Sequence, residues 1–457
     1  MVAKHPRIYL ASALGVAFLL LGTAAVFAGV AAGSNSSAAA PVPTASEAPP
    51  RPQPSAFPSA SRLRTCSVNL YATDARLTTF SGYVVNAATG ETLFDRNGTV
   101  PQRTGSVLKV ITAAAALNVL GPSATLTTQV IDGTTPGTIV LKGGGDPTLA
   151  TGGSVYGGAP QMSALASAAM AQYETLHPNE PVTTIVLDST MWDPADDWDS
   201  TWNRREQSDG YQAQVTALMI NGGRNDPTSV VSSRTTDPIG DAGRAFANEA
   251  GLDLDEITFS RGSAASSTVL ASVQSQPVST LIGQMLMSSD NVLAENLARV
   301  VSKTMGFNGS SSSLAQAIPG ALVEYGLATQ TLTIRDGSGL SDANAVSPQF
   351  MTSLFNKIRA NEKNLGIIYT SLPVSGQSGT LASRFTGDNA VARGAVVAKT
   401  GWLDSEYSLS GIVNASDGTP LSFAFYSIAD GISASAKDAQ DTLATALFNC
   451  GDNLSNN

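Results

Sequence analysis

Ser106 stands three residues before Lys109, at the head of an apolar, Ala-rich stretch that runs from Ser106 to Leu120 and stops at Gly121-Pro122. On a helix, residues three apart share a face, so the Lys109 amine can reach the Ser106 hydroxyl. A helix start also offers free N–H groups and partial positive charge to a developing oxyanion. Serine attacks only when a base takes its proton. An amine is such a base once burial or a nearby cation lowers its pKa from about 10.4. Of the eight lysines in the chain, only Lys109 has a serine three places before it.

Histidine offers little competition. The chain has two, and His5 precedes an apolar run, so a Ser-His-Asp hydrolase would depend on His177. Its context, Leu176-His177-Pro178-Asn179, reads as a solvated polar turn. Two cysteines and two histidines leave no Cys- or His-rich zinc site. The run containing Asp193, Asp196, Asp197 and Asp199 lacks the glycine pattern of a calcium loop and reads as a solvated loop. No cofactor or metal is expected. A formal charge of −10 argues against a nucleic-acid partner, which needs a basic surface.

Two further clusters carry suitable groups. Ser289-Asp290-Asn291 opens a predicted helix over Asn291–Lys303 and sets a hydroxyl and an amide at its start. Lys399-Thr400-Gly401 ends a predicted strand over Ala395–Lys399.

Elements on both sides must bring these pieces together. Phe80–Asn86 and Thr92–Phe94 read as a hairpin, and Tyr407–Val413 and Leu421–Ser427 as two more strands joined by a turn at Asp417-Gly418. A closing helix is predicted over Ser433–Phe448, and others over Val278–Met287 and about 162–174. Strands of one sheet thus come from both ends of the chain, with helices between. That pattern implies an α/β core domain (residues 63–125 and 277–457) interrupted by a strand-rich inserted domain (126–276).

The order S-x-x-K, S-D-N, K-T-G is that of penicillin-binding proteins and class A β-lactamases. Around it stand Leu141-Lys-Gly-Gly-Gly-Asp-Pro-Thr-Leu149, Asp336-Gly-Ser-Gly-Leu-Ser341 and Leu372-Pro-Val-Ser-Gly376 followed by Gly379-Thr-Leu381. Over residues 64–449 the chain resembles the serine-type D-alanyl-D-alanine carboxypeptidases/endopeptidases of the low-molecular-mass class C penicillin-binding proteins. The separation of 183 positions from Ser106 to Ser289 suits that class, which carries an insertion there. The region is short for a second, nested insertion.

The resemblance implies a penicillin-binding/β-lactamase-like transpeptidase core, an antiparallel sheet flanked by helices. It implies that Ser106 attacks the peptide carbonyl between two D-alanines while Lys109 takes its proton. Ser289 would pass a proton to the leaving amine, and Asn291 would hold the substrate amide and Lys109. Lys399 would face the substrate carboxylate and depress Lys109, and Thr400 would bind that carboxylate beside Gly401. The oxyanion would lie between the backbone N–H groups of Ser106 and Trp402. Peptidoglycan stem peptides are the implied substrates and β-lactams the implied covalent inhibitors. Two positions depart from the family's pattern. Trp402 replaces the usual Thr or Ser, losing a hydroxyl and bringing a large ring to the site. Ser378 replaces the usual acidic residue before Gly379-Thr380.

Two other functions share these motifs. A β-lactamase would hydrolyse the drug rapidly, and the insertion argues against it. A wall-binding or sensor protein with turnover blocked by Trp402 would be acylated without releasing D-alanine.

Lys4 and Arg7 precede 23 uncharged residues, Ile8–Val30, about 34 Å as a helix and enough to span a bilayer core. The charge asymmetry directs the rest of the chain out of the cytoplasm. The length favours a retained membrane anchor over a signal peptide cleaved near Val26-Phe27-Ala28. No cysteine stands near the end of that stretch to take a lipid. Residues 31–62, rich in Ala, Pro and Ser, read as an extended tether. Cys66 and Cys450 bracket the folded part and either pair in an oxidising compartment or stay as buried thiols.

Overall fold

The structure is a computed structural model that describes residues 63–456. The apolar run 8–30 and the tether 31–62 lie outside the described residues. Among the described residues no helix is long and apolar enough to cross a membrane.

The chain opens with a short strand, β1 (Cys66–Ser67), then the hairpin β2 (Thr79–Asn86) and β3 (Thr92–Arg96). The last fifth supplies β9 (Val396–Leu403), β10 (Glu406–Asn414) and β11 (Pro420–Ile428). Together they make an antiparallel sheet in the order β3-β2-β11-β10-β9, with β9 at its edge. Almost every residue of β10 and β11 is buried, because helices cover both faces of the sheet. One face packs on the closing helix, through Leu443 and Leu447 against Leu409, Phe423 and Phe425. The other packs on α1 (Lys109–Val119) and its neighbours.

Helix α1 follows a 3-10 turn, Gly105–Leu108, and every residue from Lys109 to Leu117 is buried. It is apolar all round because other helices surround it. These include α4 (Val278–Ser288), α5 (Asn291–Thr304) and α6 (Leu314–Leu322).

Residues 127–274 build a second five-stranded sheet: β4 (Thr127–Asp132), β5 (Thr138–Lys142), β6 (Thr184–Asp188), β7 (Thr258–Arg261) and β8 (Val269–Gln274). Their order is β7-β6-β5-β4-β8, with β5–β6 and β6–β7 parallel and the remaining pairs antiparallel. Helices α2 (Met162–Leu176) and α3 (Pro238–Glu249) share its core, Leu165 and Phe246 meeting Ile139 and Ile185. Helix α3 and α7 (Pro348–Arg359) were not anticipated. Both nevertheless begin with a capping side chain followed by proline, Asp237-Pro238 and Ser347-Pro348, a legible start signal.

Several expectations are corrected. His177 is no free loop residue: it caps α2, its Nε2 lies 3.0 Å from both carboxylate oxygens of Asp132, and its ring tilts over Tyr173. The Asp193–Asp199 run is likewise tied down. Asp196 accepts from Arg299 (2.9 Å) and the Ser311 amide (2.6 Å), and Asp199 pairs with Arg335. The described residues contain no group of His, Cys, Asp or Glu arranged to hold a metal ion.

Cys66 and Cys450 form a disulfide, with Cα atoms 5.5 Å apart and a sequence separation of 384. It ties β1 to the end of α8 (Ser435–Cys450), beside the parallel pairing of β1 with β12 (Leu454–Ser455). Replacing both cysteines by serine is expected to cost about 2–4 kcal/mol, since the bridge restricts the unfolded chain over a long loop. Urea unfolding measures this, and an unchanged midpoint would contradict it.

Candidate active site

Three elements converge on Ser106. The 3-10 turn before α1 supplies Ser106 and α1 supplies Lys109, the α4–α5 junction supplies Ser289 and Asn291, and β9 supplies Lys399 to Trp402. The Lys109 Nζ lies 2.7 Å from Ser106 Oγ, 2.6 Å from Asn291 Oδ1 and 2.8 Å from the Ser338 carbonyl oxygen. Two of these partners can only accept. A neutral Lys109 therefore donates both its protons to Asn291 and Ser338 and turns its lone pair toward the Ser106 hydroxyl. Lys109 is fully buried, and burial lowers its pKa to about 8. Asp336, Glu295 and Asp290 pull in the opposite direction and limit the fall.

The Ser338 carbonyl is held by the Asp336-Gly-Ser-Gly loop. Glu295 accepts from the Gly337 and Ser338 amides, while Asp336 accepts from the Gly339 and Ser341 amides and from Trp202. Burial raises the pKa of both acids.

Ser289 caps α4 with a left-handed backbone (φ 59°), which turns the chain sharply into α5. Its hydroxyl accepts from Lys399 Nζ at 2.9 Å, and Lys399 also donates to the Thr400 carbonyl at 2.8 Å. Lys399 is fully buried. Burial, and then the charge of Lys109, pushes its pKa well below the ordinary lysine value. Burial is the main cause that lowers Lys109, and the repulsion between the two buried amines disfavours charging both at once.

Asp290, between Ser289 and Asn291, caps α5 by accepting from the Leu293 amide at 2.9 Å. Its other oxygen meets Arg224 at 2.6 Å and the Tyr156 hydroxyl at 3.0 Å, and Arg224 also donates to Tyr156 at 2.7 Å. Burial alone would raise Asp290, but Arg224 and Arg234 hold it well below the usual carboxylate range. Residues of the 127–274 segment thus fix the S-D-N turn. Arg224→Met is expected to cost about 3–5 kcal/mol by leaving a buried carboxylate unpaired. A variant that melts with the wild type would contradict this.

The K-T-G run does not end its strand, as expected from sequence, but continues within β9 to Leu403. Gly401 lies opposite Ser408, and a Cβ there would meet the Ser408 hydroxyl and the Thr104 carbonyl. Only glycine lets β9 lie this close to residues 104–106. Ser408 donates to that same carbonyl at 2.7 Å.

A cavity of about 440 Å³ opens over these groups, lined by Ser106, Ser289, Asn291, Thr380, Thr400 and Trp402 among others. The Trp402 ring does not fill it. That residue is 49% exposed and stands edge-on to Tyr211, with centroids 6.3 Å apart, at the cavity wall. Three lining features escaped the sequence reading. Thr380 sets its hydroxyl 2.8 Å from that of Thr400, so a second hydroxyl stands beside Thr400 although position 402 has none. Glu206 and Tyr211 come from the other sheet's segment, and Asp342 and Asp404 join Glu206 in an acidic wall beside Ser405. Only the tertiary contacts mark them.

Residues 65–232 and 224–449 match the D-Ala-D-Ala carboxypeptidase 3 (S13) family. The chain is 34% identical to a carboxypeptidase DacB of Mycolicibacterium smegmatis over 382 residues, covering 81% of this chain and 80% of that protein. It is 27% identical to a D-alanyl-D-alanine carboxypeptidase of an Actinomadura species over 454 residues, covering 80% of each. Among solved structures it is similar in fold to penicillin binding protein 4 from Haemophilus influenzae. That match has a TM-score of 0.68 and 18% identity, covering 83% of this chain and 97% of the other.

Proposed function

We propose, from the premise that this chain belongs to the D-Ala-D-Ala carboxypeptidase 3 (S13) family, that its carboxypeptidase activity runs through an acyl-enzyme on Ser106. The chain is a serine-type D-Ala-D-Ala carboxypeptidase acting on peptidoglycan outside the cytoplasm. The observation that carries the Ser106 assignment is the buried Lys109 amine, held between two obligate acceptors with its third direction on the Ser106 hydroxyl.

In this reading neutral Lys109 takes the Ser106 proton as Oγ bonds to the carbonyl carbon of the penultimate D-alanine. The oxyanion rests on the Ser106 and Trp402 amides. Lys399 and Thr400 hold the terminal carboxylate. That anion favours a charged Lys399, whose repulsion then helps Lys109 shed its proton. Ser289 relays the proton that Lys109 took to the leaving amine as the C–N bond breaks, and D-alanine departs. Water then attacks the ester, neutral Lys109 taking its proton and passing it to Oγ as the ester bond breaks, which frees the shortened peptide and restores Ser106. A β-lactam undergoes the same attack, but its leaving nitrogen stays tethered and the ester persists. Residues 8–30 hold the enzyme at the membrane.

A pentapeptide ending in two D-alanines should yield tetrapeptide and D-alanine in equal amounts. Mass spectrometry of enzyme treated with benzylpenicillin should place the adduct on the peptide containing Ser106. An adduct confined to another residue would overturn the Ser106 assignment. Deleting residues 1–30 should move the protein from the membrane pellet to the soluble fraction.

A further inference from the structure

Glu406 opens β10 and is fully buried, yet neither of its carboxyl oxygens has a hydrogen-bond partner among the described residues. Its side chain packs against Gly105, at the place a Cβ would occupy. That same place lies 3.2 Å from the Trp402 backbone nitrogen. Gly105 immediately precedes Ser106, and its φ of 45° is left-handed, so glycine is needed there on two counts. Two residues along the same face of β10, Ser408 ties down the Thr104 carbonyl. β10 thus touches the backbone of residues 104 and 105 just before the nucleophile.

We infer that Glu406 is a positioning residue of this reaction, packing its carboxyl beneath the oxyanion site formed by the Ser106 and Trp402 amides. The inference rests on the reading of Ser106 as nucleophile. An isolated, unpartnered carboxylate is costly to bury, so the group stays protonated at neutral pH. Burial, with Asp342 adding to it and Arg103 opposing it, raises its pKa to about 8. Tyr426 faces it from β11 and is raised by burial and by Glu406 itself. Protonated, Glu406 supports the Gly105 turn without charge. Ionised, it sets a negative charge under the place where the substrate oxygen becomes negative, and the low-dielectric surroundings make that opposition strong. Acylation therefore falls as pH rises through the Glu406 pKa.

The test is the pH profile of the acylation rate with a fluorescent penicillin, on full-length protein. The wild type should slow roughly fivefold or more between about pH 8 and 10. Glu406→Gln, permanently neutral, should keep its rate at about pH 7 within roughly threefold and lose the alkaline fall. An unchanged alkaline fall in that variant overturns the inference and assigns the fall to another group such as Lys399. Should Glu406→Gln not fold, Arg103→Gln decides: removing the opposing cation should move the alkaline fall to higher pH, and an unmoved profile overturns the inference. Ser106→Ala is the control. Loss of labelling there identifies the reaction being profiled, so a failed Glu406 result then counts against Glu406 alone.

Discussion

Ser106→Ala is expected to release no D-alanine above background and to take up no labelled penicillin, a fall in kcat on the order of 10⁶-fold. The substitution removes one oxygen from a buried turn and leaves Lys109 bonded to Asn291 and Ser338, so the fold survives. Without Oγ no ester can form. Among the described residues, the other hydroxyl bonded to a lysine amine at the site is Ser289, which sits on Lys399 rather than Lys109. Circular dichroism and D-alanine release, measured together, check the result. A folded Ser106→Ala protein with wild-type turnover would remove the serine from the mechanism.

Lys109→Met has the next largest effect, a loss of about 10²–10⁴-fold in acylation, as expected when a general base is removed. Its pH signature is more specific than its size. Protonated Lys109 has no lone pair to offer, so the wild-type rate rises with pH until the amine is neutral. With a pKa near 8, the acid limb climbs roughly tenfold per pH unit below about pH 7 and levels near the pKa. The residual activity of Lys109→Met should lack that limb. Lys109→Arg should be equally poor, since a guanidinium stays charged throughout the range. A wild-type acid limb persisting in Lys109→Met would assign the base to another group.

How much of this was readable beforehand depends on how far apart the interacting residues lie. The S-x-x-K pair is a local matter, because one turn of backbone puts the two side chains together. The β2–β3 hairpin, the strands near the C-terminus and α5 also announced themselves through alternation and capping. The overlooked helices α3 and α7 carry their signal in a capping residue and a proline rather than in a long apolar run. Strand β9 passes through Gly401, which looked like a stop and is instead a point of close approach to residues 104–106.

The amino-acid order by itself determined which groups could do the chemistry: a serine with an amine one turn away, a second serine and an amide at a helix start, and a third cluster on a strand. Tertiary structure alone decided their chemical state and their partners. Lys109 becomes a base because helices and sheet exclude water from it, and its lone pair is aimed by a carbonyl and an amide from residues 338 and 291. The grip of Arg224 on Asp290, the hydroxyl of Thr380 beside Thr400, the outward ring of Trp402 and the unpartnered acid of Glu406 belong to the same class. Desolvation and hydrogen-bond geometry are set by neighbours in space, and here those neighbours come from segments that only the completed fold brings together.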